Sequence, residues 1–358
     1  MPGILSVILA GGAGTRLYPL TESRSKPAVP FAGSYRLIDF VLNNFVNSDL
    51  LKIYVLTQFK SQSLNIHLRQ AWYLSSLTDH FIDTVPAQMR MGKRWYEGTA
   101  DAIYQNMRLI EVHDPDYVCI FGSDHIYKMD IRQMVDFHRR QEASLTVAAI
   151  RVPVALANQF GCIEVDSHQR MIGFVEKPQS NPPTIPGDPE HVLASMGNYV
   201  FTTETLFDTL LEDARDANSS HDFGKDIIPR LYPEQPVYVY DFATNRVPGE
   251  KRQSTYWRDV GTLDTYWQAH MDLLGEDPEF DLFNAKWPLR SHHPPVPPAK
   301  VLDIPGRQRT HVSNSSLASG CLIRNATLDM TQKHAATAPV KRGRNVTLLS
   351  EAKKATGT

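Results

Sequence analysis

Several short segments combine residue types that can hold phosphate. Leu9-Ala10-Gly11-Gly12-Ala13-Gly14-Thr15-Arg16-Leu17 directly follows a short apolar run. Three glycines in four residues let backbone N–H groups approach a phosphate with no Cβ in the way. Arg16 adds a fork of donors for phosphate oxygens. No Gly-Lys-Ser/Thr follows, so this is not a Walker loop, and the spacing is not GxGxxG. Glycine also marks ordinary strand-to-helix turns, so the loop alone does not decide. Lys26-Pro27 adds weight, because Pro27 fixes a rigid loop and Lys26 brings a mobile point charge beside the glycines. Taken by itself, a lysine is usually solvated.

Acids complete the pattern. Asp124 ends the strand-like run Tyr117–Phe121, and ligands of open parallel sheets sit at the carboxyl ends of strands. An aspartate there suits Mg²⁺, although a turn or cap aspartate looks the same in sequence. Asp259, in Tyr256-Trp257-Arg258-Asp259-Val260-Gly261, is the second candidate; two carboxylates sharing one magnesium ion fit phosphate chemistry. Glu176-Lys177-Pro178 repeats the Lys-Pro device, with Lys177 for a second phosphate and Glu176 for a sugar hydroxyl. Gly161 could admit a sugar ring. Its neighbour Cys162 reads as a packed residue rather than a nucleophile, since no basic partner is local. The 13 histidines show no HxxH-type spacing and are given no metal role.

These residues need a scaffold, and the chain is long enough to build one. At 358 residues, 42% hydrophobic and 21% charged, it reads as one large globular domain or two, at roughly 150 residues per domain. Ser6–Ala10, Lys52–Thr57, Tyr117–Phe121 and Ser144–Val152 read as strands. Between them, Leu37, Val41 and Phe45 mark a helix; Ile103, Met107 and Ile110 mark another; residues 130–140 a third, with Asp130 as N-cap. This alternation predicts an α/β domain with a mixed, mostly parallel central sheet. Strand-like stretches at 162–166, 172–176 and 198–202 predict antiparallel additions. A helix at 203–213, a strand at 237–242 and a helix over Tyr266–Leu274 close the domain.

Charge and cysteine content narrow the class. The formal net charge is −2, but residues 331–358 hold six Lys/Arg against one Asp/Glu, while the rest holds 31 against 38. A body that acidic is a poor nucleic-acid binder. Cys119, Cys162 and Cys321 form no CxxC pair, which fits a reducing cytosol. No apolar run approaches the roughly 20 residues of a membrane span. Residues 291–298 (SHHPPVPP) cannot continue a helix or a central strand. The expected domains are therefore 1–280 catalytic, 281–311 a proline-rich linker, 312–330 one partial β-helix coil, and 331–358 a basic, disordered tail.

Taken together, LAGGAGTRL, SKPAV, GSDHIY, FVEKP, SSHDFGKD and YWRDVGT resemble the sugar-nucleotide pyrophosphorylases over about residues 3–328. WYEGTAD (95–101), ASMGNYVF (194–201) and SSHDFGKDIIP (219–229) resemble the ADP-glucose (glucose-1-phosphate adenylyltransferase) branch. The resemblance implies a Rossmann-like nucleotidyltransferase domain. It implies that ATP and α-D-glucose 1-phosphate give ADP-glucose and pyrophosphate, the committed step of glycogen or starch synthesis. By matching position, Gly11, Gly12, Gly14 and Thr15 would cradle the nucleotide, with Arg16 and Lys26 on its phosphates. Gln88, Gly98 and Thr99 would meet the base, and Asp124 and Asp259 would hold Mg²⁺. Tyr96, Gly161, Glu176, Lys177 and Ser195 would hold glucose 1-phosphate.

Two departures accompany the match. Ser23 stands where many bacterial members carry a lysine that helps bind a sugar-phosphate activator. The family also ends in a left-handed β-helix of several coils that serves the homotetramer and effector binding. Here the similarity stops near residue 328, which leads to the expectation of a truncated or frame-shifted reading frame and of lowered stability. The alternatives are another sugar-1-phosphate nucleotidyltransferase, such as a mannose-1-phosphate guanylyltransferase, and a non-catalytic regulatory subunit.

Overall fold

The computed structural model describes residues 3–88, 95–250, 255–274 and 278–293. The expected β-helix coil at 312–330 and the tail at 331–358 lie outside them. In chain order, the first half comprises β1 (Ile4–Ala10), β2 (Pro30–Phe31), β3 (Tyr35–Arg36), α1 (Leu37–Asn47), β4 (Lys52–Thr57), α2 (Gln62–Ala71), β5 (Phe81–Pro86), α3 (Thr99–Tyr104), α4 (Met107–Glu111), β6 (Tyr117–Gly122) and β7 (His125–Tyr127). There follow α5 (Ile131–Arg140), β8 (Leu145–Pro153), β9 (Gly161–Val165), β10 (Met171–Glu176), β11 (His191–Thr202), α6 (Thr203–Asp213), α7 (Ile228–Leu231), β12 (Val237–Asp241), β13 (Trp257–Asp259) and α8 (Leu263–Met271).

Nine of these strands form one mixed sheet. β6, β1, β4 and β5 lie side by side and parallel. β11 pairs antiparallel with β6 and leads to β9 and β10, while β8 and β12 extend the sheet from β11. β1 sits in the middle and is apolar at every position but Ser6, because both faces are covered. Leu5 and Val7 pack under α3, α4, α6 and α7; Ile8 and Ala10 pack under α1, α2 and α5. Each such fully buried Leu or Ile contributes about 2 kcal/mol of transfer free energy. A third core around Leu17, Val29, Phe40, Tyr256, Tyr266 and Phe280 ties the segment after the glycine loop to the chain's last described helix.

Local chemistry explains several boundaries. Asp130 caps α5 as expected, accepting from the Arg132 N–H at 3.2 Å. The helix expected through Ile103, Met107 and Ile110 is broken into α3 and α4. Asn106 turns its side-chain amide back to the Ala102 carbonyl at 2.8 Å, a local bond that competes with helix continuation. β11 begins at His191, earlier than the expected 198, and shifts register between Ser195 and Tyr199. Gly197, at φ 68°, supplies the left-handed residue at that bulge. Before the bulge β11 pairs with β9, after it with β6, so the sheet parts beside the carboxyl end of β6.

The expected linker starts at residue 281, yet residues 288–291 are held by side chains of α1. Trp287 is buried. Asn43 of α1 takes both backbone groups of Arg290, at 2.7 and 2.9 Å. Asn47 donates to the Pro288 carbonyl, and Ser291 donates to Asp39. Around Pro288 the stretch forms no ladder of its own, and helix side chains satisfy its backbone instead.

Candidate active site

The glycine loop leaves the carboxyl end of β1, and Asp124 leaves that of the adjacent β6. Gly14 has φ 63°, and a Cβ there would lie 2.9 Å from Lys26 Cβ. The missing side chain is what lets the Lys26 turn close onto the loop. The Thr21 hydroxyl donates to the Gly14 carbonyl at 2.9 Å and holds that closure. Gly12 differs: a Cβ there would meet nothing within 4 Å, so its bareness keeps space open. Thr15 and Arg16 follow on the exposed side of the loop.

Lys26 sits at the start of a 3-10 turn, Lys26–Ala28, with Pro27 at its second position. Only 7% exposed, it points its Nζ between two carboxylates, 2.6 Å from Asp124 Oδ2 and 3.1 Å from Asp259 Oδ1. Asp259 arrives through β13, a three-residue strand whose Asp259 pairs with His125 of β7. A Cβ on Gly261 would lie 2.9 Å from Asp259 Oδ2 and 3.2 Å from Arg16 Nη2, so that glycine lets the acid and the arginine share a corner. Three residues far apart in sequence thus form one charge cluster. Burial alone would lower the Lys26 pKa, but Asp124 and then Asp259 raise it above the ordinary lysine value. Burial alone would raise Asp124, but Lys26 and then His125 hold it below the usual carboxylate range. Lys26 and Asp124 therefore offset their own desolvation by pairing.

The donor set fits a hard divalent cation. Ligand atoms of Asp124, His125 and Asp259 lie within 4.8 Å of one another, and carboxylate oxygens are what magnesium takes from proteins. The Lys26 ammonium lies between the same two carboxylates, so cation entry requires it to release at least one of them. His125 was invisible to motif spacing. Its only sequence signal is adjacency to Asp124 in GSDHIY.

Of the residues expected at the sugar, Gly161, Glu176 and Lys177 come together at the β9–β10 pair. Gly161 pairs with Glu176 across β9 and β10. A Cβ on Gly161 would come 2.5 Å from Phe174 Cζ and 2.8 Å from Glu176 Oε2, so only glycine leaves that carboxylate in place. Lys177 Nζ lies 2.8 Å from Glu176 Oε1, and its backbone N–H donates to the Phe160 carbonyl at 3.0 Å. Ser195 stands at the β11 bulge, its hydroxyl accepting from the Gly197 N–H at 3.3 Å. Tyr96 accepts at its hydroxyl from Asn106 at 2.9 Å. Cys162 is buried, and burial followed by the Glu176 charge pushes its thiol up to about 11, the packed thiol expected from the sequence.

A ring path joins the two groups. The Trp257 ring centre lies 4.8 Å from that of His125 and 5.7 Å from that of Phe160. The residues expected at the base play visible structural parts. Gly98 lies so close to the His221 carbonyl that no side chain fits. The Thr99 hydroxyl donates to Asp222 at 3.1 Å and accepts from the Phe223 N–H at 3.0 Å. Its one proton is thus engaged, and its backbone groups are what it offers a ligand. Gln88 lies exposed two residues past the end of β5.

Comparison with known proteins agrees with this geometry. The nucleotidyl transferase family matches residues 5–276. Glucose-1-phosphate adenylyltransferase 1 of Vibrio cholerae serotype O1 is 64% identical over 328 residues, which is 92% of this chain and 80% of that protein. The glucose-1-phosphate adenylyltransferase of Photobacterium profundum is 62% identical over 326 residues, 91% of this chain and 80% of its own. That of Anaeromyxobacter dehalogenans is 52% identical over 329 residues, with 91% and 80% covered. The chain belongs to the nucleotidyl transferase family and, within it, to the glucose-1-phosphate adenylyltransferases.

Proposed function

We propose that this chain transfers the adenylyl group of ATP to α-D-glucose 1-phosphate, giving ADP-glucose and pyrophosphate for glycogen or starch synthesis. The observation that carries the reading is the Lys26–Asp124–Asp259 cluster beside an open glycine loop, in a chain so similar to named adenylyltransferases. An oxygen of the sugar phosphate forms a bond to the α-phosphorus, and the bond from that phosphorus to the bridging oxygen breaks. Pyrophosphate leaves with the electron pair, so no side chain has to carry a proton. Catalysis then rests on alignment and charge neutralisation.

The residue roles proposed with it are those that the family resemblance implies. Gly11, Gly12, Gly14 and Thr15 line the triphosphate, Arg16 and Lys26 neutralise the leaving pyrophosphate, and Gln88, Gly98 and Thr99 border the base. Tyr96, Gly161, Glu176 and Ser195 border the sugar, with Lys177 on its phosphate. Asp124 and Asp259 would hold Mg²⁺, which when bound supplies further neutralisation of phosphate oxygens. We place the enzyme in the cytoplasm. Cys119 and Cys162 are free, buried thiols, and none of the described helices is long and apolar enough to cross a membrane. Homotetramer assembly and response to sugar-phosphate or other metabolite effectors remain part of the same family reading, tested by sedimentation and by assays with added effectors.

Pyrophosphate release, measured with ATP, GTP, UTP and dTTP against several sugar 1-phosphates, tests the reaction. ATP with glucose 1-phosphate is expected to be fastest. Preference for GTP with mannose 1-phosphate would overturn it, as would folded protein that binds both substrates and turns over neither, the behaviour of a regulatory subunit.

A further inference from the structure

The aspartate that supplies one side of the charge cluster stands on a very short strand outside the main sheet. β13 has three residues and, among those described, pairs with β7 alone. A ribbon that short does not hold its own position. Its side chains alternate between two faces. Trp257 and Asp259 face the cleft, where they meet His125, Phe160 and Lys26. Tyr256 and Arg258 face the other way, and both end on one carboxylate, that of Asp272.

That convergence is specific. The Tyr256 hydroxyl donates to Asp272 Oδ2 at 2.9 Å, and Arg258 Nε donates to the same oxygen at 3.0 Å. Gln268 donates to Oδ1 at 2.9 Å. The Asp272 side chain is 4% exposed. Its position runs against helix electrostatics: it is the C-cap of α8, where the helix presents its negative end. A buried acid at that end costs stability unless donors offset it, and here the donors come from β13. Residues 256–272 form a strand, turn and helix, closed by the last residue gripping the first.

We infer that Asp272 is a positioning residue for the reaction: through Tyr256 and Arg258 it fixes the depth and register of Asp259 without touching substrate. The inference builds on the reading that Asp259 helps hold the divalent cation. Partners that orient ligating side chains typically contribute about 10–100-fold to metal affinity. Both Asp272→Asn, which keeps shape, and Asp272→Ala are tested in the full chain, with Asp241→Asn as a control that removes another carboxylate–arginine pair, Asp241 with Arg151 at 2.8 Å.

Two measurements separate this inference from the reading beneath it. In metal-free protein, hydrogen exchange at amides 257–259 is expected to rise in both Asp272 variants and not in the control. Unchanged exchange in both Asp272 variants overturns the positioning role, whatever metal does. Mn²⁺ affinity, read by electron paramagnetic resonance without substrates, is expected to fall about tenfold or more in Asp272→Ala. Asp259→Ala should abolish it. Loss in Asp259→Ala with wild-type affinity in both Asp272 variants also overturns the positioning role. Retained affinity in Asp259→Ala instead removes Asp259 from the metal site, and the exchange result still decides Asp272.

Discussion

The two ends of the cleft are built on opposite plans. At the phosphate end, Lys26 from a 3-10 turn, Asp124 from just past the end of β6 and Asp259 from β13 interlock at 2.6 and 3.1 Å. At the sugar end, Glu176 and Lys177 are chain neighbours, and the Lys177 side chain is 54% exposed. The first set is oriented before substrate arrives, because its buried lysine already holds both partly exposed carboxylates. At the second end it is the lysine that is exposed, so Lys177 can move to meet a ligand and its charge is screened by water. On the proposed reading, the interlocked end carries the chemistry and the end with the exposed lysine carries recognition.

The largest expected effect tests the phosphate end. Asp124→Asn should lower kcat by about 10²–10³-fold or more, as removal of preorganised charge does, with an unchanged circular dichroism spectrum. Unchanged turnover would remove Asp124 from the mechanism and dissolve the comparison. Lys177→Ala should behave differently. It should raise KM for glucose 1-phosphate about 10–100-fold, the worth of a charged hydrogen bond, with a smaller change in kcat. An equal fall in kcat would mean that the exposed end also acts on the transition state.

Gly161→Ala sharpens the sugar end further. Its methyl would collide with Phe174 and displace the Glu176 carboxylate. Overpacking of this kind costs about 1–3 kcal/mol, so thermal unfolding should shift down and KM for the sugar phosphate should rise with it. KM with ATP should change less, which steady-state kinetics at both substrates would show.

The smallest effect separates the site from the scaffold. Burial pushes the His138 imidazole, between Thr146 and Thr202, down to about 4. Because the unfolded chain binds that proton at about pH 6.5 and the folded chain resists it, stability should fall by up to about 3 kcal/mol as pH drops from 6.5 to 4. His138→Gln should flatten this fall in urea titrations across that range. The phosphate end contributes little there. Asp124 is held low, so its stabilisation is lost only at more acid pH, and Lys26 is held high, so its share is lost only in strong alkali.

Much of the scaffold was legible because it is local. Apolar runs bounded by glycine gave β1 and β6, and period-four apolar residues gave α1. Asp130 announced the start of α5 because capping depends on a few adjacent residues. The glycine loop was legible too, since backbone freedom is written in residue type. Less legible was the break between α3 and α4, where one asparagine bond outweighs the apolar period. The hold of α1 on residues 288–291 was hidden as well, because it uses side chains nearly 250 positions away.

By itself, the sequence determined an α/β chain with a glycine-rich turn after its first strand, two Lys-Pro corners and two candidate acids, since each of these is a property of residues close together. Only the tertiary structure decided that Lys26 stands between Asp124 and Asp259, that Trp257 links the two ends, and that Asp272 anchors the strand between them. Those relations depend on the pairing of β7 with β13 and on the third core that brings α8 against the loop following Gly14. Such pairings are set by the packing of the whole domain, which no short window of sequence contains.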